Sequence, residues 1–319
     1  MSSLLHVQNQ EFQSHFPLRP FRISHDLAGD PRLTLPAILE LVGKLPGDRI
    51  EYNSGKVGIS QDPSTTPLVD LTPDEVIARI ETAGAWMVLK RIEVEPAYRD
   101  LLEDALTSVA KARGHKSVSD AGFSDIQGFL FASSPNSTTP FHLDGEDNFF
   151  VQIHGDKQFN VYDNEDRAIL SEDLIEHSLT RHRNMTFDPA FENRGMHNSL
   201  KPGEGLFVPY LWPHYVQTKE SYSISLAITW KSRAVKRRNS LYLANSLLRR
   251  RGFPQAAPGM HRVWDETKIL AVQMGALAVE PLRKSERLRK SIRALVLGKR
   301  ANYYYRNGKA AGTAKAEAS

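Results

Sequence analysis

From residue 123 to residue 230 the hydrophobic and polar positions alternate in short runs. The clearest is 221–230. Tyr222, Ile224, Leu226, Ile228 and Trp230 fall on one face, and Ser223, Ser225, Ala227 and Thr229 on the other. Side chains along a strand point alternately to opposite faces, so this run predicts a strand with one large and one small face. Residues 126–132, 149–153, 157–162 and 206–209 read as further strands. Turn clusters separate them: a polar, Pro-containing loop over 132–140, His154-Gly155-Asp156, and Pro202-Gly203-Glu204-Gly205. The pair 149–153 and 157–162 reads as a hairpin. Many short strands with regular turn signals predict a barrel or sandwich. Residues 163–200 are less regular, with a short helix over 174–179.

The flanks have a different texture. Residues 35–42 carry an apolar stripe at helical spacing, with Pro36 suited to a first turn. Residues 54–67 form a Gly-, Ser-, Thr- and Pro-rich loop. Thr72 is placed to cap a helix that starts at Pro73, and Asp74 and Glu75 complement its dipole. A strand follows over 85–91, with Trp86 and Val88 on one face. Next comes a helix over 98–113, buried through Leu102, Ala105, Leu106 and Val109 and stopped at Gly114. Beyond Trp230 the pattern turns helical: 241–251 and 266–277 flank a Gly/Pro loop, and 282–296 is basic and amphipathic through Leu288, Ile292 and Leu295. The fold class is therefore mainly β with α additions. The expected organisation is an N-terminal α/β elaboration over 1–119, a β core over 120–232, a basic helical region over 233–306 and a disordered polar tail over 307–319. There is no internal repeat.

Composition narrows the chemistry. None of the 319 residues is cysteine, which excludes disulfides, thiolate zinc sites and a cysteine nucleophile. Any metal must be held by histidine and carboxylate. No run approaches the roughly 18 apolar residues of a membrane span. Residues 1–12 lack a basic stretch followed by an apolar core, so a cytoplasmic protein without a transmembrane segment is expected. The net charge of +4 hides an asymmetry: residues 231–319 carry 21 Lys and Arg against 5 Asp and Glu, whereas residues 1–230 carry 20 against 32. An acidic body with a basic end implies either an internal charge match or an anionic partner for the tail.

His142-Leu143-Asp144 is the one short motif that demands chemistry. On a strand, residues i and i+2 share a face, so an imidazole and a carboxylate would stand side by side. His214 follows Pro213 at the close of a later strand-like run. Two histidines and one carboxylate with open positions are the donor set of non-haem Fe(II) oxygenases. His154, His177, His182 and His197 lie in turn-like or polar surroundings and are not expected among the ligands. Tyr210 and Trp212 stand beside His214, where they would either shape a pocket or pack at the barrel rim.

Two runs make residues 120–232 resemble the JmjC and cupin-like 2-oxoglutarate- and Fe(II)-dependent oxygenases, most closely the factor-inhibiting-HIF-like asparaginyl hydroxylase group. The first is Thr139-Pro140-Phe141-His142-Leu143-Asp144, continued by Asn148-Phe149-Phe150-Val151-Gln152-Ile153, Gly155 and Lys157. The second is Gly203-Glu204-Gly205-Leu206-Phe207-Val208-Pro209, then Trp212-Pro213-His214. The resemblance implies a double-stranded β-helix, a jelly roll, with iron held by His142, Asp144 and His214. It also implies that Lys157 pairs with the distal carboxylate of 2-oxoglutarate, that Thr139 hydrogen-bonds to that carboxylate, and that Asn148 lines the same cavity. The small face of 221–230 would leave room for the diacid. Some relatives carry an asparagine on the strand after the distal histidine, where this chain has Ala227 and Thr229.

The implied activity is hydroxylation of a C–H bond on a protein side chain, a small metabolite or a lipid-linked molecule. Such relatives dimerise through C-terminal helices, so a homodimer is implied. The basic segment 282–300 is a lesser candidate for contact with nucleic acid or an anionic membrane. The competing reading is a non-catalytic cupin-like metal-binding or regulatory protein with a basic nucleic-acid- or partner-binding tail.

Overall fold

Alternation becomes a two-layer β-architecture. The structure is a computed structural model that describes residues 3–7, 9–180 and 184–279, with Leu288, Ser291 and Ala294 beyond them. The basic segment 282–300, apart from those three residues, and the tail 307–319 lie outside the described residues. The strands are β1 (Leu5–His6), β2 (Phe21–His25), β3 (Ile50–Ser54), β4 (Ala85–Lys90), β5 (Ser124–Ser133), β6 (Thr138–His142), β7 (Asp147–His154), β8 (Lys157–Val161), β9 (Met196–Leu200), β10 (Glu204–Val208), β11 (His214–Thr218) and β12 (Ser223–Lys231). The helices are α1 (Gln10–His15), α2 (Leu35–Lys44), α3 (Pro73–Ala78), α4 (Pro96–Ala112), α5 (Glu172–Thr180), α6 (Arg233–Arg249) and α7 (Arg262–Val279).

Eight strands form one sheet in the order β1-β2-β10-β7-β12-β5-β4-β3, and four form a second in the order β6-β11-β8-β9. Every strand pairing in both sheets is antiparallel. The result is the cupin-like jelly roll expected, with N-terminal strands widening the larger sheet on both flanks. No described helix is long and apolar enough to cross a membrane.

The two faces of the larger sheet have different tasks. One carries Phe149, Val151, Phe207, Ile224, Leu226, Ile228 and Trp230 into a core closed by Leu101, Leu102, Ala105 and Leu106 of α4 and by Phe12 and Phe21. Burying a side chain of this size contributes about 1.5–3 kcal/mol, so this face is the main source of stability. The large face of β12 thus points away from the other sheet, as its alternation implied, and is covered rather than solvated. The opposite face turns Phe150 and Ala227 toward Phe159, Val161 and Val216 of the smaller sheet.

Local signals held at the helix ends. The Thr72 hydroxyl accepts from the Glu75 N–H at 3.3 Å, and the Glu75 carboxylate accepts from the Thr72 N–H at 2.7 Å, closing a capping box. Gly114 follows α4 at φ +79°. Longer-range expectations shifted. The expected hairpin over 149–162 is not one: β7 pairs with β10 and β12, whereas β8 pairs with β11 and β9. The turn carries the chain from one sheet to the other. Gly155 makes that corner at φ +68°, where a Cβ would lie 2.2 Å from the Tyr222 carbonyl oxygen. His214 opens β11 rather than closing a strand, because the chain turns sharply at Leu211, φ +64°, before Pro213. The irregular stretch 163–200 contains β9, and α6 begins at Arg233, ahead of the apolar pattern that announced it.

Candidate functional site

β6 and β11 are neighbours in the smaller sheet, and their register sets His142 directly opposite His214. The imidazole centroids are 4.2 Å apart. Asp144 lies just past the end of β6, and its Oδ2 is 3.8 Å from His214 Nε2. One donor atom from each of His142, Asp144 and His214 lies within 4.8 Å of the others.

The protonation of both rings follows from their neighbours. His142 Nδ1 is 2.7 Å from the Pro140 carbonyl oxygen, and His214 Nδ1 is 2.9 Å from that of Trp212. A carbonyl can only accept, so each Nδ1 donates, which leaves Nε2 as the ring atom able to ligate a metal. Two imidazole Nε2 atoms oriented by backbone carbonyls, plus one carboxylate, form a donor set that fits a divalent transition ion. Phe159 stacks on His214 at 5.0 Å between ring centroids, closing the inner side.

These residues line a cavity of about 520 Å³ between the sheets. Lys157, the first residue of β8, lines it too and is 2% exposed. Its Nζ sits 5.7 Å from the Phe131 ring centroid and 5.5 Å from that of Phe150. No carboxylate among the described residues pairs with it, and burial pushes its ammonium down to about 7. Two aromatic faces stabilise the cation only in part.

Asn148 lines the cavity from β7, between Val208 of β10 and Thr229 of β12, and its Oδ1 is buried with no hydrogen-bond partner. Thr139 lines it from β6, opposite Val216. All six sequence-identified residues therefore face one space. The small face of β12 opens into it only in part. Ala227 and Thr229 line the cavity, but Ser223 and Ser225 are engaged by Gln152, whose Nε2 donates to Ser223 Oγ and whose Oε1 accepts from Ser225 Oγ, both at 2.8 Å.

His154, His177 and His197 do not line the cavity; His182 lies outside the described residues. His154 stacks on Tyr222, and His197 bonds Asn160 and the Glu192 carbonyl. Tyr210 and Trp212 are buried beside the site without lining it, which is the packing role of the two considered. Beneath them Asp147 accepts the Tyr210 N–H at 3.0 Å, and burial raises its carboxyl to about 7.

Sequence reasoning missed one wall. Asn53 of β3, Trp86 and Val88 of β4, and Gln127, Phe129 and Phe131 of β5 also line the cavity, and a Glu51–Lys90 ion pair stands among them. The signal was present, since Trp86 and Val88 were assigned a common face. Nothing local said that this face continues the cavity wall beyond the smaller sheet.

The chain is similar to several known proteins. A 121-residue stretch is 31% identical to the HSPB1-associated protein 1 homolog of Danio rerio, covering 34% of this chain and 27% of that protein. The chain thus matches little more than a quarter of that relative's length. Among solved structures, the Escherichia coli ribosomal oxygenase YcfD aligns with 93% of this chain and 72% of its own, at 13% identity and a TM-score of 0.45. YcfD in complex with cobalt and 2-oxoglutarate aligns with 91% and 72%, at 14% identity and a TM-score of 0.43. The family model of the cupin-like domain matches residues 44–235, more than half of the chain, and the protein belongs to the cupin-like domain family.

Proposed function

We propose that the protein is an Fe(II)- and 2-oxoglutarate-dependent oxygenase that hydroxylates a protein side chain or a small molecule. One observation carries this reading: a single cavity has a two-histidine, one-carboxylate cluster at one place and a buried, anion-less lysine at another. A ligand suited to both must chelate a metal at one end and present a carboxylate at the other. 2-Oxoglutarate has that shape and charge.

His142, Asp144 and His214 would hold Fe(II) through two Nε2 atoms and a carboxylate oxygen. Lys157 would donate a charge-assisted hydrogen bond to the distal carboxylate, with Thr139 as a neutral partner beside it. Asn148 would supply its unpartnered Oδ1 to a donor on the bound molecules or their water. When bound, iron and 2-oxoglutarate together supply oxidation of a C–H bond by O2, with succinate and CO2 as co-products. The chain contributes placement and dryness. Phe131, Phe150 and Phe159 exclude water from the space between Lys157 and His214.

A homodimer through the C-terminal helices belongs to the same reading, supported by the apolar stripe Val263, Leu270, Met274 and Leu277, which α7 leaves exposed. A cytoplasmic location, where both iron and 2-oxoglutarate are available, completes it.

The test is anaerobic addition of Fe(II) and then 2-oxoglutarate to the metal-free protein, followed in the visible range for the metal-to-ligand charge-transfer band. The band should be absent in His142→Ala and should require more 2-oxoglutarate in Lys157→Ala. No band from folded, metal-loaded protein would sink the oxygenase reading in favour of a non-catalytic cupin-like protein.

A further inference from the structure

The match to the cupin-like domain ends at residue 235, two residues into α6. Asn239 lies beyond that limit, yet it reaches the loop that carries Asp144. Its Nδ2 donates to the carbonyl oxygen of Gly145 at 2.8 Å, and its Oδ1 accepts from the Tyr210 hydroxyl at 2.9 Å. The Gly145 carbonyl can only accept, which fixes which end of the carboxamide faces which partner.

Both partners belong to the segments that bear the metal-site residues. Gly145 is the neighbour of Asp144. Tyr210 stands in the turn between β10 and His214, and that turn is stitched to the Asp144 loop twice more. The Leu211 N–H donates to the Asp144 carbonyl oxygen at 3.0 Å, and the Tyr210 N–H donates to Asp147 Oδ1 at 3.0 Å. Leu211 sits at φ +64°, a conformation that a non-glycine residue keeps only where its surroundings impose it. The loop is tight on its other side as well. A Cβ at Gly145 would lie 2.9 Å from Leu179 Cδ2 and 3.5 Å from Asn239 Oδ1.

We infer that Asn239 is a positioning residue of the metal centre: from outside the family core it clamps the Asp144 loop to the turn leading to His214, and so holds the carboxylate against the second imidazole. The inference rests on the metal-site reading above. It makes the C-terminal helical region a part of the site rather than an appendage, and it assigns a purpose to the paired polarity of one side chain bridging two loops.

The experiment uses the full chain and Co(II) as the metal probe. Wild type, Asn239→Ala, Asn239→Asp and Tyr210→Phe are titrated with Co(II) by calorimetry. The Co(II) absorption spectrum and the thermal unfolding of each metal-free protein are recorded in parallel. Residues that orient metal ligands typically contribute 10–100-fold to affinity. Asn239→Ala should bind Co(II) about 10–100-fold more weakly, with an altered ligand-field spectrum. Asn239→Asp keeps the acceptor for Tyr210 but loses the donor to Gly145, and should show the same spectral change. Tyr210→Phe loses one hydroxyl and should show a smaller loss.

Wild-type affinity and spectrum in folded Asn239→Asp and Tyr210→Phe would overturn the inference, whatever happens to the stability of Asn239→Ala. Failure of the wild-type protein itself to bind Co(II) would instead overturn the metal-site reading, and the inference with it.

Discussion

The histidine cluster and Lys157, two places in one cavity, are built on opposite principles. At the histidine cluster the backbone orients the side chains before any ligand arrives. Each imidazole donates Nδ1–H to a backbone carbonyl, and the Asp144 carbonyl accepts from Leu211. At Lys157 the protein is energetically incomplete: an ammonium is buried between two phenyl rings with no carboxylate beside it. A hydrogen-bonded cluster costs little to maintain and can be held rigid. A buried unpaired cation costs stability unless an opposite charge completes it. On the proposed reading the first place would set the geometry and the second would select the ligand.

Substitutions can separate these two roles, the largest effect first. Asp144→Ala removes the only carboxylate of the cluster, so metal-dependent turnover should fall by about 10³-fold or more, which is about 4 kcal/mol of barrier. Circular dichroism should show an unchanged fold, since Asp144 lies outside the three hydrophobic clusters.

Lys157→Met should behave in the opposite manner. Loss of a charge-assisted bond worth about 1.5–3 kcal/mol should weaken 2-oxoglutarate binding by about 10–150-fold, with metal affinity intact. Meanwhile the ligand-free protein should melt at a higher temperature, because an apolar chain replaces an unpaired buried cation. A lower melting temperature would contradict the incompleteness of that end.

Ala227→Leu adds bulk to the cavity wall and should raise the KM for 2-oxoglutarate about tenfold, judged by the 1–3 kcal/mol cost of overfilling a packed space. The same change should leave Co(II) binding as in wild type.

The smallest effect near neutral pH is a pH dependence. The free-protein Lys157 loses its proton above about pH 7, and bound carboxylate requires the ammonium. The affinity for 2-oxoglutarate should be level below about pH 7 and fall up to tenfold per unit above it. For folding the sign reverses. The unfolded lysine, near 10.5, binds the proton that the folded one has released, so this group adds stability as pH rises from about 7 to about 10.5. Lys157→Met should lack both dependences.

Six of the residues that line the cavity could be named from the chain, whereas the strand pairings around them could not. His142 and Asp144 are separated by one residue, so the chain keeps them close, although Asp144 lies just past the end of β6 and not on the strand that the alternation implied. The Thr72 cap, the α4 stripe and the large face of β12 were equally local and were read correctly in kind. The errors were of partnership. The turn at Gly155 predicts a hairpin because a glycine turn between two β-like runs has the same appearance whether it returns the chain beside itself or carries it to another sheet. The wall formed by Trp86, Val88 and Asn53 was invisible for a related reason: alternation shows that a strand has two faces without saying what each will meet.

Local chemistry along the chain therefore sufficed for the His-x-Asp pair, the alternating strands and the helix caps, because each depends on neighbours within a turn or a pleat, whereas Lys157 was named through the family resemblance. Packing between distant segments settled the rest. It brought His214 opposite His142, took the counter-charge away from Lys157, filled half of the small face of β12 with Gln152, and brought Asn239 to the Asp144 loop. These are outcomes of sheet order and burial, which depend on free energies summed over segments far apart in sequence, and no short window of residues contains them.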